Sequence, residues 1–262
     1  MIADALPPLA GILIAALFGL IFGSFLNVCI VRWGAEPKQS VVRPPSRCPR
    51  CGAGLRPYDN IPVLSWLVLR GKCRSCALPI SPMYPLVELA TGIIWAAMAW
   101  RYGATLHALT GAVFFTILLG IALTDLRAYI IPDEFSVGGL AVGLVLATAA
   151  GLPALGQALL GVAVGFALLW LIGWLGAIVF RKDAMGGGDV KMMAMVGAFT
   201  GWQGTLVSIF LGAVLGTLIF VPITLFKRDK LVPFGIFLAL GAAAAWIAGP
   251  ALISWYRDYA GF

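Results

Sequence analysis

Long apolar segments separated by short clusters of charged residues run through most of the chain. Eight such segments can be delimited, at 9–31, 84–100, 105–124, 135–151, 157–180, 192–200, 203–226 and 232–250. Most of them approach the roughly 20 residues that a helix needs to cross the hydrocarbon layer of a bilayer. The pattern predicts an all-α polytopic membrane protein with about eight transmembrane helices.

The stretch 192–226 carries no charged residue, which makes it too long for one crossing and short for two. A polar and glycine-containing break at 200–203 favours a hairpin of two helices with a short first arm. The alternative is a protein of seven spans, in which 192–200 is a half-helix or a re-entrant segment.

Composition and charge agree with lipid as the main solvent of the chain. Of its 262 residues 61% are hydrophobic and 11% are charged, against about 25% charged residues in ordinary soluble domains. With eight crossings, 16 of the 18 Lys and Arg residues fall on one side, and only Arg101 and Arg257 fall on the other. The positive-inside rule places the basic side in the cytoplasm and both termini outside. The net charge of +7 is therefore a topology signal, and no nucleic-acid partner is expected.

The N-terminal apolar segment is expected to remain in the protein as a helix. Residues 1–10 contain Asp4 and lack the basic residues with which a signal peptide begins.

The segment 33–83 is polar, basic and proline-rich, unlike the rest of the chain. It contains two C-x-x-C motifs separated by 21 residues, a spacing close to that of zinc ribbons. Four thiolates suit tetrahedral Zn²⁺, and a site closed by four ligands is structural. Two disulfides are the alternative, which the reducing cytoplasm disfavours. The predicted zinc ligands are Cys48, Cys51, Cys73 and Cys76.

Carboxylates within or beside apolar segments are costly, so each is a candidate for function. Asp125 lies at the cytoplasmic end of the third predicted span, and Asp189 follows Gly186-Gly187-Gly188 at the start of the sixth. The predicted topology places both at the same membrane face. Two carboxylates that meet there can share a proton and act as acid and base on a water molecule. This is the chemistry of aspartic peptide hydrolysis.

The other candidate residues have simpler explanations. Glu88 can be a polar packing residue, Asp133 is expected to cap a helix after the turn at Pro132, and Asp183 can be a solvated loop charge. A single histidine, His107, leaves the serine and cysteine protease mechanisms without their usual base. The last of the six candidate carboxylates is Glu134. The fifth cysteine, Cys29, is expected to be a small apolar filler of the first span.

Short motifs spread over nearly the whole chain resemble those of type IV prepilin peptidases, the leader peptidases of pili and of type II secretion. One departure is Asp183, where most members are expected to have Glu, so the charge is kept. The matching segments are Gly23-Ser24-Phe25-Leu26-Asn27-Val28, Cys48-Pro49-Arg50-Cys51, Asn60-Ile61-Pro62, Leu69-Arg70-Gly71-Lys72-Cys73 with Cys76, Tyr84-Pro85 with Glu88, Asp125-Leu126, Ile131-Pro132-Asp133, Gly186-Gly187-Gly188-Asp189-Val190-Lys191 and Val232-Pro233-Phe234-Gly235.

The resemblance implies that Asp125 and Asp189 are the catalytic pair of an inner-membrane enzyme. It implies cleavage of the short basic leader of prepilins and pseudopilins at the cytoplasmic membrane face. In the branch with two C-x-x-C motifs, the new N-terminal residue is then methylated with S-adenosylmethionine. The expected domains are a first transmembrane helix (1–32), a cytoplasmic zinc-binding domain tied to methyl transfer (33–83) and the peptidase bundle (84–262).

Two other functions are compatible with parts of the sequence. Intramembrane carboxylates also mark the pathways of ion-coupled transporters, but these aspartates lie near one face and no internal repeat is visible. A membrane scaffold that recruits a partner through its zinc loop would leave the Gly-Gly-Gly-Asp turn unexplained.

Overall fold

The computed structural model describes residues 8–182, 185–226 and 233–261. Within these ranges the chain is helical, and the pairing of extended segments is limited to two isolated β-bridges. One short 3₁₀ helix, Pro57–Asn60, lies between the first two α-helices. The α-helices are α1 (Pro8–Trp33), α2 (Leu64–Val68), α3 (Met83–Tyr102), α4 (Leu106–Ala128), α5 (Asp133–Ala149), α6 (Leu152–Phe180), α7 (Gly187–Phe226) and α8 (Phe234–Ala260).

Six of the described helices, α1, α3, α4, α6, α7 and α8, are long and apolar enough to cross a bilayer. Helix α5 has 17 residues and falls just short of that length. Large apolar side chains of α6 are exposed, among them Trp170, Ile172 and Val179. Such a surface is stable against acyl chains and not against water. The chain is therefore a multi-pass membrane protein, as predicted.

Helix α7 is interrupted at Gly201, whose φ of 67° and ψ of 178° are not helical. A Cβ atom added to Gly165 of α6 would collide with the carbonyl of Met193 and would lie 3.1 Å from the methyl group of Thr205. In one continuous helix Met193 and Thr205 would stand about 18 Å apart. Both can border Gly165 only if the chain reverses at Gly201. The predicted hairpin, with its break at 200–203, is confirmed.

Each of the eight predicted segments corresponds to a described helix or to one arm of α7. The first five correspond to α1, α3, α4, α5 and α6, the next two to the arms of α7 on either side of Gly201, and the last to α8.

The chain folds as two compact units, Met1–Thr116 and Ile117–Phe262. Within the first unit α1 lies against α3, and a Cβ added to Gly23 would be 2.7 Å from the Cα of Glu88. Within the second unit α7 lies against α6 and α8, and glycines again let the backbones approach closely. The cysteine motifs belong to the first unit, and Asp125 and Asp189 belong to the second.

Candidate active site and metal centre

Asp125 lies in the last turns of α4, where only 5% of the residue is exposed. Its Oδ2 accepts a hydrogen bond from the backbone N–H of Ile236 at 3.1 Å. The neighbouring Gly235 comes so close that an added Cβ would lie 2.8 Å from the same oxygen. The N-terminal turn of α8 therefore holds the Asp125 carboxylate, and it can do so because position 235 has no side chain.

Asp189 lies in the first turn of α7 and is partly buried. Its backbone N–H donates to the carbonyl of Gly186 at 3.1 Å. Its Oδ2 folds back over that glycine, 3.2 Å from the position that a Cβ of Gly186 would occupy. The Asp125 carboxylate is close enough to Asp189 for the two charges to interact. The glycine turn therefore fixes the backbone of Asp189 and holds its carboxylate against Gly186.

Ile131, in the connection between α4 and α5, contacts the starts of both α7 and α8. A Cβ at Gly188 would lie 3.1 Å from the Cβ of Ile131, and a Cβ at Gly235 would lie 2.8 Å from its Cδ1. One side chain thus spans from the residue before Asp189 to the residue that covers Asp125. The structure brings the two predicted catalytic aspartates into one site formed by the end of α4 and the starts of α7 and α8.

The two C-x-x-C motifs of the first unit come together in space. Their sulfur atoms all lie within 4.8 Å of one another, and the Sγ atoms of Cys48 and Cys76 are 4.0 Å apart. In a tetrahedral site with Zn–S bonds of about 2.3 Å the sulfurs stand about 3.8 Å apart. All five cysteines are free thiols, so the structure has neither of the alternative disulfides. The four that form the cluster are Cys48, Cys51, Cys73 and Cys76.

The two motifs fold in the same way. The N–H of Cys48 donates to the carbonyl of Ala53, and that of Cys73 donates to the carbonyl of Leu78, both at 2.9 Å. The residue after each second cysteine has a positive φ, 72° at the glycine of the first motif and 57° at Ala77 of the second. Two equivalent turns thus present their thiols to a common centre, as the predicted zinc-ribbon-like site requires.

The backbone around Cys48 favours its thiolate form. The N–H groups of Cys51 and Arg50 donate to the sulfur and lower the pKa of the Cys48 thiol to about 6. A thiolate, and not a thiol, is the form that binds a metal ion. Cys29 is buried in α1 and is not a member of the cluster, in agreement with its predicted role as a filler.

Comparison with known proteins identifies the family. The model of the type IV leader peptidase family matches residues 112–221, and that of the bacterial peptidase A24 N-terminal domain matches residues 17–102. The prepilin leader peptidase/N-methyltransferase of Pseudomonas aeruginosa is 37% identical over 279 residues, which cover 97% of this chain and 96% of the relative. The chain belongs to the type IV leader peptidase family.

Other members of this family are similarly related to the chain. The proteins of the same name from Myxococcus xanthus and Aeromonas hydrophila are 44% and 33% identical, over 83% and 92% of this chain and 67% and 91% of the relatives. No solved structure matches the chain. Both aspartates fall in the leader peptidase match and all four clustered cysteines in the N-terminal one, whereas Gly235 and Ile236 lie beyond residue 221.

One prediction about this leader peptidase is wrong. Asp133 does not cap α5, because the cap position is Pro132 and no side chain there makes a capping hydrogen bond. Asp133 is instead in the first turn of α5, and its carboxylate oxygens accept hydrogen bonds from Lys191 Nζ at 2.8 and 3.0 Å. The Asp133 carboxylate thus pairs with the first turns of α7, at Lys191, the second residue after Asp189.

The remaining candidates have other surroundings or lie outside the described residues. Glu134 is exposed in the first turn of α5, and the ring of His107 makes an edge contact with that of Tyr102, with centroids 4.6 Å apart. Glu88 is buried in α3 and accepts a hydrogen bond from the N–H of Val63 at 2.7 Å. Asp183 lies outside the described residues.

Sequence reasoning missed the parts of the site that are made by backbone and apolar groups. The amide of Ile236 and the side chain of Ile131 carry no charge that would single them out. A signal was present in Pro233-Phe234-Gly235, where a glycine in the first turn of an apolar helix is an unusual choice unless another group comes close.

Proposed function

We propose that this leader peptidase removes the short basic leader of prepilins and pseudopilins and then methylates the new N-terminal amine. The relatives carry the name prepilin leader peptidase/N-methyltransferase and match the chain over most of its length. The observation that carries the proposal is the meeting of Asp125 and Asp189 at the ends of three helices in an apolar bundle.

The proposed hydrolysis uses the two carboxylates as one unit. One carboxylate takes a proton from a water molecule, which attacks the carbonyl carbon of the scissile peptide bond. The other carboxyl group, which carries the proton that the pair shares, donates it to the nitrogen of the leaving amine, and the C–N bond breaks. The Ile236 amide fixes the orientation of Asp125. The turn before Asp189 is open at Gly187, where an added Cβ would meet no atom within 4 Å, and an extended peptide can approach there.

The proposed methyl transfer uses S-adenosylmethionine as a co-substrate that supplies the methyl group. The cysteine segment 33–83 is assigned to this reaction, and the bundle from residue 84 onward is assigned to hydrolysis. The proposed metal is Zn²⁺ held by the four clustered cysteines, whose separations fit a tetrahedral site. With four protein ligands the ion has no open position for water, so its role is to fold the segment.

The proposed location of the active site is the cytoplasmic face of the inner membrane. Six long apolar helices support a location in the membrane, with membrane lipid as the surrounding partner. Arg127 and Lys191, each two residues beyond a catalytic aspartate, belong to the basic side of the chain.

The test uses the purified protein in detergent with one full-length prepilin and S-adenosylmethionine. Mass spectrometry distinguishes the intact prepilin, the cleaved product and the methylated product, because each has a different mass. We expect both products with the wild type. The variants Asp125→Asn and Asp189→Asn should each lower cleavage by at least about 10³-fold, because neither carboxylate alone can serve as both acid and base.

The matched control for this test is Glu134→Gln, which removes an exposed carboxylate outside the pair. It should cleave as the wild type does. Near-normal cleavage by either aspartate variant, with its helical content retained, would refute the catalytic assignment.

A further inference from the structure

Glu88 is a buried carboxylate that the proposed hydrolysis does not use. It lies in α3, and 8% of the residue is exposed. Its described hydrogen-bond donors are the backbone N–H of Val63 at 2.7 Å and the hydroxyl of Ser24 in α1. Neither donor is charged, and a buried carboxylate is costly when no cation compensates it. A residue kept at that cost is expected to have a specific role.

The backbone that Glu88 holds is in an unfavourable conformation. Val63 immediately precedes α2 and has a φ of 61° and a ψ of −49°. This region is rare for any L residue and especially for a β-branched one. Such a conformation persists only where surrounding contacts impose it. The short hydrogen bond from its N–H to Glu88 is one of those contacts.

Helix α2 passes this restraint on to the second cysteine motif. The indole N–H of Trp66 in α2 donates to the carbonyl of Ile80 at 3.2 Å, and its ring lies over Gly71. The N–H of Gly71 donates to the carbonyl of Trp66 at 2.8 Å, and that of Ile80 to the carbonyl of Gly71 at 2.7 Å. Since Cys73 follows Gly71 by two residues, the position of α2 determines where the second motif lies.

The Glu88 side chain comes from a closely packed pair of helices, α1 and α3. Helices α1 and α3 are in close contact at Gly23, and the amide of Asn27 in α1 donates to the carbonyl of Tyr84 in α3 at 2.9 Å. Ser24 and Asn27 therefore hold the same turns of α3 from which Glu88 reaches the loop. One carboxylate joins two membrane helices to the cysteine segment.

We propose that Glu88 is a positioning residue that anchors the cysteine segment 33–83 to α1 and α3, and that methyl transfer depends on this anchor. The proposal rests on the proposed methyltransferase function. The anchoring of the segment does not depend on that function, because it can be measured without any reaction. Hydrolysis does not use the anchor, since both catalytic aspartates belong to the other compact unit.

Three variants of Glu88 distinguish the effect of side-chain length from the effect of charge. Glu88→Gln keeps an oxygen at the same distance and loses the charge. Glu88→Asp keeps the charge and is one methylene too short to reach the Val63 amide. Glu88→Ala loses both, and Glu36→Gln, which removes an exposed carboxylate of the same segment, is the matched control. Each full-length protein is studied in detergent with prepilin and S-adenosylmethionine.

The first measurement is the rate at which trypsin cuts the segment 33–83, which is rich in Arg and Lys. We expect cutting to be about 10- to 100-fold faster in Glu88→Asp and Glu88→Ala, the range expected for loss of a hydrogen bond to a charged group. Glu88→Gln should stay within a few fold of the wild type, and Glu36→Gln should equal it. Unchanged cutting in both Asp and Ala variants would overturn the anchor.

The second measurement is the ratio of methylated to cleaved product. It should fall in Glu88→Asp and Glu88→Ala, with cleavage near the wild-type rate, and should be largely retained in Glu88→Gln. A Gln variant that is protected from trypsin and cannot methylate would overturn the positioning role, because the charge itself would then be required. Loss of cleavage as complete as in Asp189→Asn would also overturn it. If the Ala variant does not fold, the Asp and Gln pair decides the question.

A wild-type protein that never methylates would refute the proposed function and not the anchor. The trypsin measurement would still test Glu88 in that case.

Discussion

The Asp125 carboxylate depends on a position that has no side chain. A Cβ added to Gly235 would lie 2.8 Å from both Asp125 Oδ2 and Ile131 Cδ1. Neither neighbour can move freely, because Asp125 is also bonded to the Ile236 amide and Ile131 also borders Gly188. Gly235 is therefore as much a requirement of the site as the carboxylate itself.

Gly235→Ala should lower cleavage by about 10²-fold, because displacing a catalytic group by about 1 Å has an effect of that size. The protein should remain folded, since alanine favours helix. Cleavage is measured by mass spectrometry of a prepilin. Gly249→Ala is the matched control, because it lies in the same helix and its Cβ would meet no atom within 4 Å. Equal cleavage by the two variants would contradict the requirement at position 235.

Charge in an apolar context made Asp125 and Asp189 stand out in the sequence, and the spacing of the two C-x-x-C motifs made the cysteine cluster predictable. Their roles still require the tests above. The Asp133 prediction failed because a local capping rule competed with a partner 58 residues away, which no local pattern reveals. The hydrogen bond from the Ile236 amide was not predictable, since every residue except proline has a backbone N–H and the sequence does not show which of them reaches Asp125.

The pair of Asp133 and Lys191 links the start of α5 to the start of α7. Both side chains are about half exposed, at 53% and 44%, so the pair is worth about 0.2–1 kcal/mol. The pair adds one ionic contact to a packing of α5 against α7 that other residues also make.

Asp133→Lys should lower cleavage no more than about fivefold, because the pair is exposed and weak. The double variant Asp133→Lys, Lys191→Asp should recover most of that loss, since the charges are restored in reverse. Rates are compared at low and high salt, and the effect of the single variant should shrink as salt screens the pair. A double variant that is slower than the single one would show that Lys191 has another role.

The apolar pattern of the sequence predicted the long apolar helices of the structure well. The hairpin in α7 was predictable because 192–226 is too long for one crossing and contains one polar break. The short helix α2 was not, because its five residues carry no periodic signal and its place is set by Trp66 and by the Glu88 contact.

Across the whole molecule the proposed reactions belong to different compact units. The clustered cysteines lie in Met1–Thr116, and the aspartates proposed to be catalytic lie in Ile117–Phe262. Composition alone predicted the separate character of the segment 33–83. It did not predict that the first compact unit extends through α3 into α4, because packing between helices leaves no periodic trace in uniformly apolar sequence.

Cys48→Ser should release the metal and loosen the cysteine segment, because metal binding supplies much of the folding energy of such small sites. Methylation should then fall at least about 10-fold, whereas cleavage should fall less. Zinc content and product masses are measured on the same sample. Cys29→Ser is the matched control, since that cysteine is outside the cluster.

Two results would contradict this division between the units. One is fully methylated product from a Cys48→Ser protein that holds no zinc. The other is loss of cleavage as complete as that of Asp189→Asn.

The short first arm of α7 implies that the cleavage rate depends on the thickness of the bilayer. From Gly187 to the break at Gly201 a helix rises about 21 Å, less than the hydrocarbon thickness of about 30 Å. Hydrophobic mismatch of this kind is relieved by local thinning of the bilayer. Thinning beside the helix whose first turn contains Asp189 would shorten the path of water to the peptide bond. Cleavage should therefore be faster in short-chain than in long-chain phosphatidylcholine vesicles, and equal rates in both would exclude such a dependence.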